Sequence, residues 1–199
     1  MDNMFGRFIV FEGLDQSGKQ TQAERLRDRL RADGYRARLL SFPDYGTSIG
    51  EEIARALQGE RDYGADVMQL LYVANRYERK DEILAWLQGG LTLICDRYVS
   101  SSLAYGEAHG LDPAWLIEIQ KFLPAPDLTV LLDINPETAA HRKLTERDKY
   151  ERDLTLLSNV RESYQRQVTD SWIKIDGERL VDEVTEDIYA AVSLHFSQQ

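Results

Sequence analysis

Short apolar runs alternate with longer amphipathic segments along the whole chain. Several of the apolar runs are nearly continuous, which is typical of strands that are covered on both faces. We predict five strands, over Arg7–Phe11, Ala37–Phe42, Leu91–Cys95, Leu128–Ile134 and Ser171–Ile175. The segments between them predict helices over Gly18–Asp33, Ala65–Gln88, Pro113–Phe122, Pro136–Leu144, Leu154–Val168 and Leu180–Phe196. This alternation predicts an α/β fold with a mainly parallel sheet.

The residues after the first strand form the clearest chemical motif. Ligands of such sheets bind at the carboxyl ends of the strands, and here Gly13–Lys19 reads G-x-x-x-x-G-K directly before a helix. Glycines at this spacing let backbone N–H groups surround a phosphate, and the helix N-terminus adds partial positive charge. We therefore predict a phosphate-binding loop that comprises Gly13, Leu14, Asp15, Gln16, Ser17, Gly18, Lys19, Gln20 and Thr21.

The residue after the lysine departs from the usual pattern of this loop. A Ser or Thr normally holds Mg²⁺ there through its hydroxyl, whereas this chain has Gln20, with Thr21 one position later. An amide oxygen is a longer and less regular ligand. Gln20 is therefore a candidate metal ligand, and the alternative is a metal held from elsewhere or through water.

An acid and a base follow the third strand, as Asp96-Arg97. An aspartate at a strand end beside a phosphate loop is well placed to hold Mg²⁺ or one of its waters. An adjacent arginine can grip a second phosphoryl group through two parallel hydrogen bonds.

Composition limits the partners and the compartment. The 199 residues carry a net charge of −10, which argues against nonspecific binding to nucleic acid or to an anionic membrane. The N-terminal apolar run is too short for the core of a signal peptide, and no stretch approaches the roughly 20 apolar residues of a membrane span. The single cysteine, Cys95, excludes an internal disulfide, so we expect a cytoplasmic protein.

Five stretches together resemble the thymidylate kinase family, in the same order and at similar spacing. They are Phe11–Gln22, Phe42–Gly50, Tyr72–Glu78, Asp96–Leu111 and Arg147–Asp153. The resemblance spans nearly the whole chain. It implies a single three-layer P-loop kinase domain over residues 1–199, with a five-stranded sheet flanked by helices and a short lid. It also implies transfer of the γ-phosphoryl of ATP to dTMP with Mg²⁺, on the route to dTTP, by a homodimer.

The resemblance assigns the phosphate and sugar contacts. Lys19 and the loop N–H groups are expected to bind ATP phosphates, and Asp15 to meet the sugar hydroxyl of the acceptor nucleotide. Arg97 is expected to clamp the acceptor phosphate, and Asp96 to organise Mg²⁺ or its waters. Catalysis of this kind rests on alignment and charge neutralisation, because the attacking phosphate oxygen is already anionic.

The resemblance places base recognition on one helix. Tyr72 and Arg76 are four residues apart, so they share a helix face. Tyr72 matches a family aromatic residue that stacks on thymine. Arg76 matches an arginine that donates to a thymine oxygen, so that cytosine, which has an amino group at that edge, would be rejected.

Further residues are expected around the acceptor. Phe42 would form a wall of the site, and Tyr45 lies where relatives carry an arginine or a tyrosine near the phosphate. Ser101 and Ser102, on a helix or turn, could reach the base or the phosphate. Tyr105 matches a ring that presses on the sugar and disfavours a 2′-hydroxyl.

A basic segment is predicted to form the lid. His141–Arg152 contains five Lys or Arg and three acidic residues, a pattern that is also common on a solvated helix face. Some family members place a catalytic cation inside the phosphate loop, but the corresponding Gln16 is neutral here. Arg142 and Arg147 are therefore the catalytic candidates in the lid. The secondary candidates, which include two residues expected to order the lid, are Lys143, Lys149, Tyr150, Glu151 and Arg152.

Two alternatives remain open at this point. A deoxynucleoside kinase would need a general base, and Glu12 could supply one, although such enzymes usually carry Glu-Arg where this chain has Asp96-Arg97. A catalytically impaired nucleotide-binding protein could explain Gln20, although Lys19 and Asp96-Arg97 are retained. The Asn-Lys-x-Asp motif of GTPases is missing, which argues against a GTPase switch.

Overall fold

The computed structural model describes residues 6–142 and 154–197 of the chain. Its centre is a five-stranded sheet in the order β2-β3-β1-β4-β5, in which every neighbouring pair is parallel. The strands are β1 Phe8–Gly13, β2 Ala37–Ser41, β3 Thr92–Asp96, β4 Leu128–Asp133 and β5 Trp172–Asp176. The α/β class and the parallel sheet predicted from the apolar runs are thus confirmed.

Eight helices connect these strands within the described residues. They are α1 Lys19–Ala32, α2 Ser48–Leu57, α3 Ala65–Gln88, α4 Val99–Ala108, α5 Pro113–Glu118, α6 Pro136–Arg142, α7 Leu154–Gln167 and α8 Val181–Ser197. The sequence does not predict α2, and it predicts α4 only as a helix or turn at Ser101 and Ser102. The prediction for α5 was four residues too long at its C-terminal end, because the backbone turns away after Glu118.

Both faces of the sheet are covered, which explains the continuous apolar runs. Along β1, Ile9 and Phe11 pack into a core shared with α1 and α8, whereas Phe8 and Val10 pack into a core that includes Ile83 of α3. All four side chains are at most 1% exposed. The result is three layers, with helices on both sides of the sheet. No described helix meets the length and apolarity needed to cross a membrane.

Strand register brings the chemistry-bearing residues to one edge. Asp96, the last residue of β3, lies opposite Phe11 of β1 and Ser41 of β2. The loops after these three strands therefore open at the same end of the sheet. This is the edge where ligands of parallel sheets bind.

Candidate active site

The phosphate loop joins β1 to α1 through left-handed backbone positions. Gly13 has φ of 141°, and a Cβ there would lie 2.4 Å from the carbonyl oxygen of Leu132. Gly18, which precedes the first helical residue, has φ of 93°. Glycine adopts these angles without steric penalty. The loop consequently turns tightly against β4 and leads directly into the N-terminus of α1.

The lysine of this loop is buried and faces inward. Lys19 is 5% exposed, and its Nζ donates to the carbonyl oxygen of Leu14 at 2.7 Å and lies 3.4 Å from Ser17 Oγ. Gln16, inside the loop, also has a left-handed φ of 63°. The positive charge of Lys19 is therefore held within the loop between β1 and α1.

Asp96 has the properties of a ligand for a hard cation. Its Oδ1 is buried and has no hydrogen-bond partner within the described structure. Burial raises the pKa of Asp96, and the nearby charge of Lys19 partly opposes that rise. A buried carboxylate oxygen without a donor is poorly stabilised unless a cation or a water approaches it. Asp96 thus fits a Mg²⁺ that takes its other ligands from water and substrate phosphates.

Gln20 is placed less favourably for a metal. It is exposed on the first turn of α1, and its Nε2 donates to Glu24 Oε1 at 3.1 Å. Thr21, the next residue, is also exposed. Among the described residues, no group of three or more His, Cys, Asp or Glu side chains could hold a metal ion. The roles of Gln20 and Asp96 toward Mg²⁺ remain predictions.

A cavity of about 350 Å³ adjoins the phosphate loop. Every residue that the sequence assigned to the acceptor lines it, namely Asp15, Phe42, Tyr45, Tyr72, Arg76, Arg97, Ser101, Ser102 and Tyr105. Gln20 and Asp96 line it as well. The sequence did not anticipate the other lining residues, which are Leu39, Ser41, Pro43, Leu57 and Gln69.

One lining residue of the cavity is a buried arginine that forms no ion pair with any of the described residues. Arg76 is 3% exposed, and its Nη1 donates to Ser102 Oγ at 2.7 Å and to Gln120 Oε1 at 3.0 Å. Its Nε has no partner in the described structure. Burial lowers the pKa of Arg76, and Glu12 partly offsets this effect. Neutral oxygens hold this cation, which leaves it suited to bind a further acceptor such as a carbonyl oxygen.

A second arginine of the cavity lining, Arg97, contacts Asp15 and Tyr105. The side chain of Arg97 forms an ion pair with Asp15, and its guanidinium carbon lies 5.3 Å from the centre of the Tyr105 ring. The Tyr105 hydroxyl lies 3.5 Å from Asp15 Oδ2. Arg97 has a left-handed φ of 66°, which is unusual for a residue with a long side chain. This backbone conformation is associated with functional positions when the surrounding contacts enforce it.

A buried carboxylate is linked to Arg97 through the hydroxyl of Ser101. Glu12 is fully buried and accepts hydrogen bonds from the backbone N–H groups of Tyr98 and Ser101, at 2.9 and 3.2 Å. Its second oxygen accepts from Ser101 Oγ at 2.6 Å and from the Tyr164 hydroxyl at 3.1 Å. With four donors around it, Glu12 is committed to internal hydrogen bonds, and it does not line the acceptor cavity. It is therefore poorly placed as the general base of a nucleoside kinase.

A buried asparagine fixes the loop that follows β2. Asn75 is fully buried on α3, accepts from the backbone N–H of Asp44 at 2.7 Å and donates to Thr47 Oγ1 at 2.8 Å. Arg79, one turn later, forms an ion pair with Asp44 at 2.7 Å. These contacts hold the loop that carries Phe42 and Tyr45 against the helix that carries Tyr72 and Arg76. The sequence singled out this helix but not the role of Asn75.

One of the two lid candidates lies against the phosphate loop. Arg142 donates to the carbonyl oxygen of Gln16 at 3.2 Å and to that of Gly177 at 3.0 Å. The guanidinium of Arg142 therefore lies next to the loop that also carries Lys19. The other candidate and the secondary ones lie outside the described residues; these are Arg147, Lys143, Lys149, Tyr150, Glu151 and Arg152.

A parallel sheet in this order, a phosphate loop between β1 and α1, and an acceptor cavity beside it define a P-loop nucleotide kinase. Residues 11–188 match the family model of thymidylate kinase. The chain therefore belongs to the thymidylate kinase family. This assignment confirms the family resemblance and favours it over the deoxynucleoside kinase and impaired-binding alternatives.

Relatives match along almost the entire chain. A thymidylate kinase from Plasmodium falciparum is 34% identical over 194 residues, which cover 96% of this chain and 92% of that protein. The human thymidylate kinase is 34% identical over 186 residues, covering 92% and 88%. The solved structure of a thymidylate kinase from Candida albicans has a TM-score of 0.87 at 28% identity, covering 98% of this chain and 94% of that one.

Proposed function

We propose that the protein transfers the γ-phosphoryl group of ATP to dTMP, giving ADP and dTDP. The observation that carries this proposal is the layout of the acceptor cavity. Its lining includes Tyr72 and Arg76 for a base, Asp15 and Tyr105 for a sugar, and Arg97 for a phosphate, and it adjoins the phosphate loop.

Base selection is assigned to Arg76. The guanidinium donates hydrogen bonds only, so it favours a carbonyl oxygen over an amino group at the edge of the base. Since Arg76 is buried, an unpaired donor there is costly, by about 1–3 kcal/mol. Thymine offers the oxygen, cytosine offers an amino group, and the Tyr72 ring provides a surface for stacking.

Phosphoryl transfer is assigned to the cations around the phosphates. The loop N–H groups and Lys19 bind the donor phosphates, and Arg97 holds the acceptor phosphate in line. An anionic acceptor oxygen attacks the γ-phosphorus, and the bond from that phosphorus to the β,γ-bridging oxygen breaks, so ADP leaves without any need for a general base. Arg142, against the phosphate loop, and Arg147 are the lid residues proposed to neutralise the transferring group.

Mg²⁺ is proposed as the metal cofactor. Asp96 would hold it directly or through water, with Gln20 as a further candidate ligand. When bound, such a cation supplies charge neutralisation on the phosphate oxygens. The unpartnered Oδ1 of Asp96 supports this assignment.

The surface of α3 and the single cysteine bear on assembly and location. We propose that the protein is a cytoplasmic homodimer. Each subunit would form a single domain over residues 1–199. The exposed apolar residues Val67 and Leu70 on α3 supply surface for a helix-packed dimer, and the buried, unpaired Cys95 suits a reducing compartment. Light scattering measures the molar mass of the purified protein in solution. A mass equal to that of one chain, instead of two, would contradict the dimer proposal.

The direct test is to identify the product. Purified protein is incubated with ATP, Mg²⁺ and dTMP, and the nucleotides are separated by ion-exchange chromatography. The proposal requires equal amounts of dTDP and ADP. ADP formed without dTDP would show only ATP hydrolysis and would contradict it.

A further inference from the structure

The strongest feature that the proposed reaction does not use is the buried carboxylate of Glu12. It lies in β1, one residue before Gly13 of the phosphate loop, and it is 0% exposed. Its donors belong to two distant parts of the chain, the start of α4 and α7. One side chain thus joins the strand of the phosphate loop to two helices.

Glu12 acts as a cap for α4. The N-cap residue of this helix, Tyr98, makes no side-chain capping hydrogen bond. Instead, Glu12 Oε1 accepts from the N–H groups of Tyr98 and Ser101, which would otherwise be unpaired at the helix N-terminus. A carboxylate is well suited to this position because the helix dipole is positive there. The start of α4, directly after Arg97, is therefore fixed from β1.

Ser101 links Glu12 to Arg97, which lines the cavity. Its hydroxyl lies 2.6 Å from Glu12 Oε2 and 2.9 Å from the Tyr164 hydroxyl, and it accepts from Arg97 Nη1 at 3.3 Å. Arg97 also pairs with Asp15 of the phosphate loop. Burial alone would lower the pKa of Arg97, but Tyr105, Tyr164 and Glu12 together raise it above its usual value. The guanidinium is thus held on both sides and kept charged.

We infer that Glu12 is a positioning residue, which through Ser101 holds Arg97 in the orientation that binds the acceptor phosphate. The inference rests on the proposed function, since it takes the acceptor phosphate as the ligand of Arg97. Glu12 itself lies outside the acceptor cavity. Its effect should therefore be selective for the acceptor nucleotide and should act through Ser101.

The test is the variant Glu12→Gln, which keeps the shape of the side chain and removes its charge. The amide nitrogen cannot accept a hydrogen bond, so two of the four donors lose their acceptor. We expect the Kd for dTMP, measured by calorimetry, to rise about tenfold or more. The Kd for ATP should change by less than about twofold, because hydrogen bonds of the donor phosphates to the loop are kept. Glu186→Gln, an exposed substitution on α8, is the matched control.

A double-mutant cycle with Ser101→Ala separates positioning from a purely structural role. If Glu12 acts through Ser101, Glu12→Gln should add little to the Kd for dTMP once the Ser101 hydroxyl is absent. Unchanged dTMP affinity in a folded Glu12→Gln variant, equal losses for dTMP and ATP, or additive effects with Ser101→Ala would each overturn the inference.

A second variant covers the case in which Glu12→Gln does not fold. Tyr164→Phe removes one donor of Glu12, keeps the buried ring and changes no residue of the cavity lining. It should raise the Kd for dTMP about threefold, and no change would count against the inference. Turnover of dTMP by the unsubstituted protein tests the proposed function separately. If the unsubstituted protein phosphorylates dTMP and both variants keep its Kd for dTMP, the proposed function stands and only the positioning role of Glu12 is contradicted.

Discussion

Arg76 Nη1 donates to Gln120 Oε1 at 3.0 Å, although the two residues are 44 positions apart in the chain. Gln120 is 3% exposed, and its own Nε2 donates to the carbonyl oxygen of Leu116 at 2.9 Å. The amide is thus fixed by α5 and can offer only its oxygen to the arginine. Base selection in the proposed function therefore depends on a residue outside the acceptor cavity.

Gln120→Ala should weaken discrimination between bases. Without Gln120 one hydrogen bond to Arg76 is lost, and the guanidinium can reorient. We expect kcat/KM for dTMP to fall about 5- to 10-fold, the equivalent of one such hydrogen bond, and the preference for dTMP over dCMP to shrink. Lys121→Ala, an exposed substitution at the next residue, is the control. Equal kinetics in the two variants would show that Gln120 has no role in base selection.

Gln20 and Asp96 should contribute very differently to metal-dependent turnover. Gln20 is exposed and bonded to Glu24, whereas Asp96 has an unpartnered buried oxygen. We expect Gln20→Ala to lower kcat a few-fold and Asp96→Ala to lower it by about three orders of magnitude. Initial rates over a range of Mg²⁺ concentrations measure both effects. Equal losses of several orders of magnitude would identify Gln20 as a principal metal ligand.

Asp96 should also destabilise the folded protein at neutral pH. Burial raises its pKa, so between the unfolded and folded pKa values the native state binds more protons than the unfolded state. Stability contributed by the protonated form is therefore lost as pH rises through that window. Asp96→Asn should raise the Tm of the ligand-free protein at pH 7, and the gain should shrink toward acid pH. A lower Tm at pH 7 for Asp96→Asn would contradict this reasoning.

Tyr105 should select against a ribose sugar. Its ring lines the acceptor cavity beside Arg97, and its hydroxyl lies 3.5 Å from Asp15. We expect Tyr105→Ala to reduce the preference for dTMP over the ribose form of TMP about tenfold. Tyr105→Phe, which keeps the ring, should preserve that preference. The ratio of kcat/KM for the two nucleotides measures the effect, and an unchanged ratio in Tyr105→Ala would assign the ring to packing alone.

Local patterns predicted most of the fold and the residues that line the candidate acceptor cavity. The strands could be predicted because residues such as Ile9 and Val10 are buried on opposite faces of the sheet. The phosphate loop could be predicted because Gly13 and Gly18 mark left-handed positions at a fixed spacing. The acceptor residues followed from motifs that resemble a family.

Features that depend on distant partners could not be predicted in this way. Helix α4 has a serine-rich start, and its N-terminal N–H groups are capped by Glu12, which is 86 and 89 residues away from the two donors. Asn75 acts on a loop 31 residues away, and Gln120 acts on Arg76 across the fold. The sequence offers one signal for these roles. Glu12, Asn75 and Gln120 are polar residues within segments whose neighbours are predicted to be buried.

The most direct test of the central claim is a panel of acceptors. With ATP and Mg²⁺, ADP release is measured for dTMP, dUMP, dCMP, the ribose form of TMP, AMP and free thymidine. The account predicts a strong preference for dTMP, with dCMP rejected through Arg76 and thymidine rejected because Arg97 has no phosphate to hold. Activity on thymidine without activity on dTMP would contradict the account and would make the protein a nucleoside kinase.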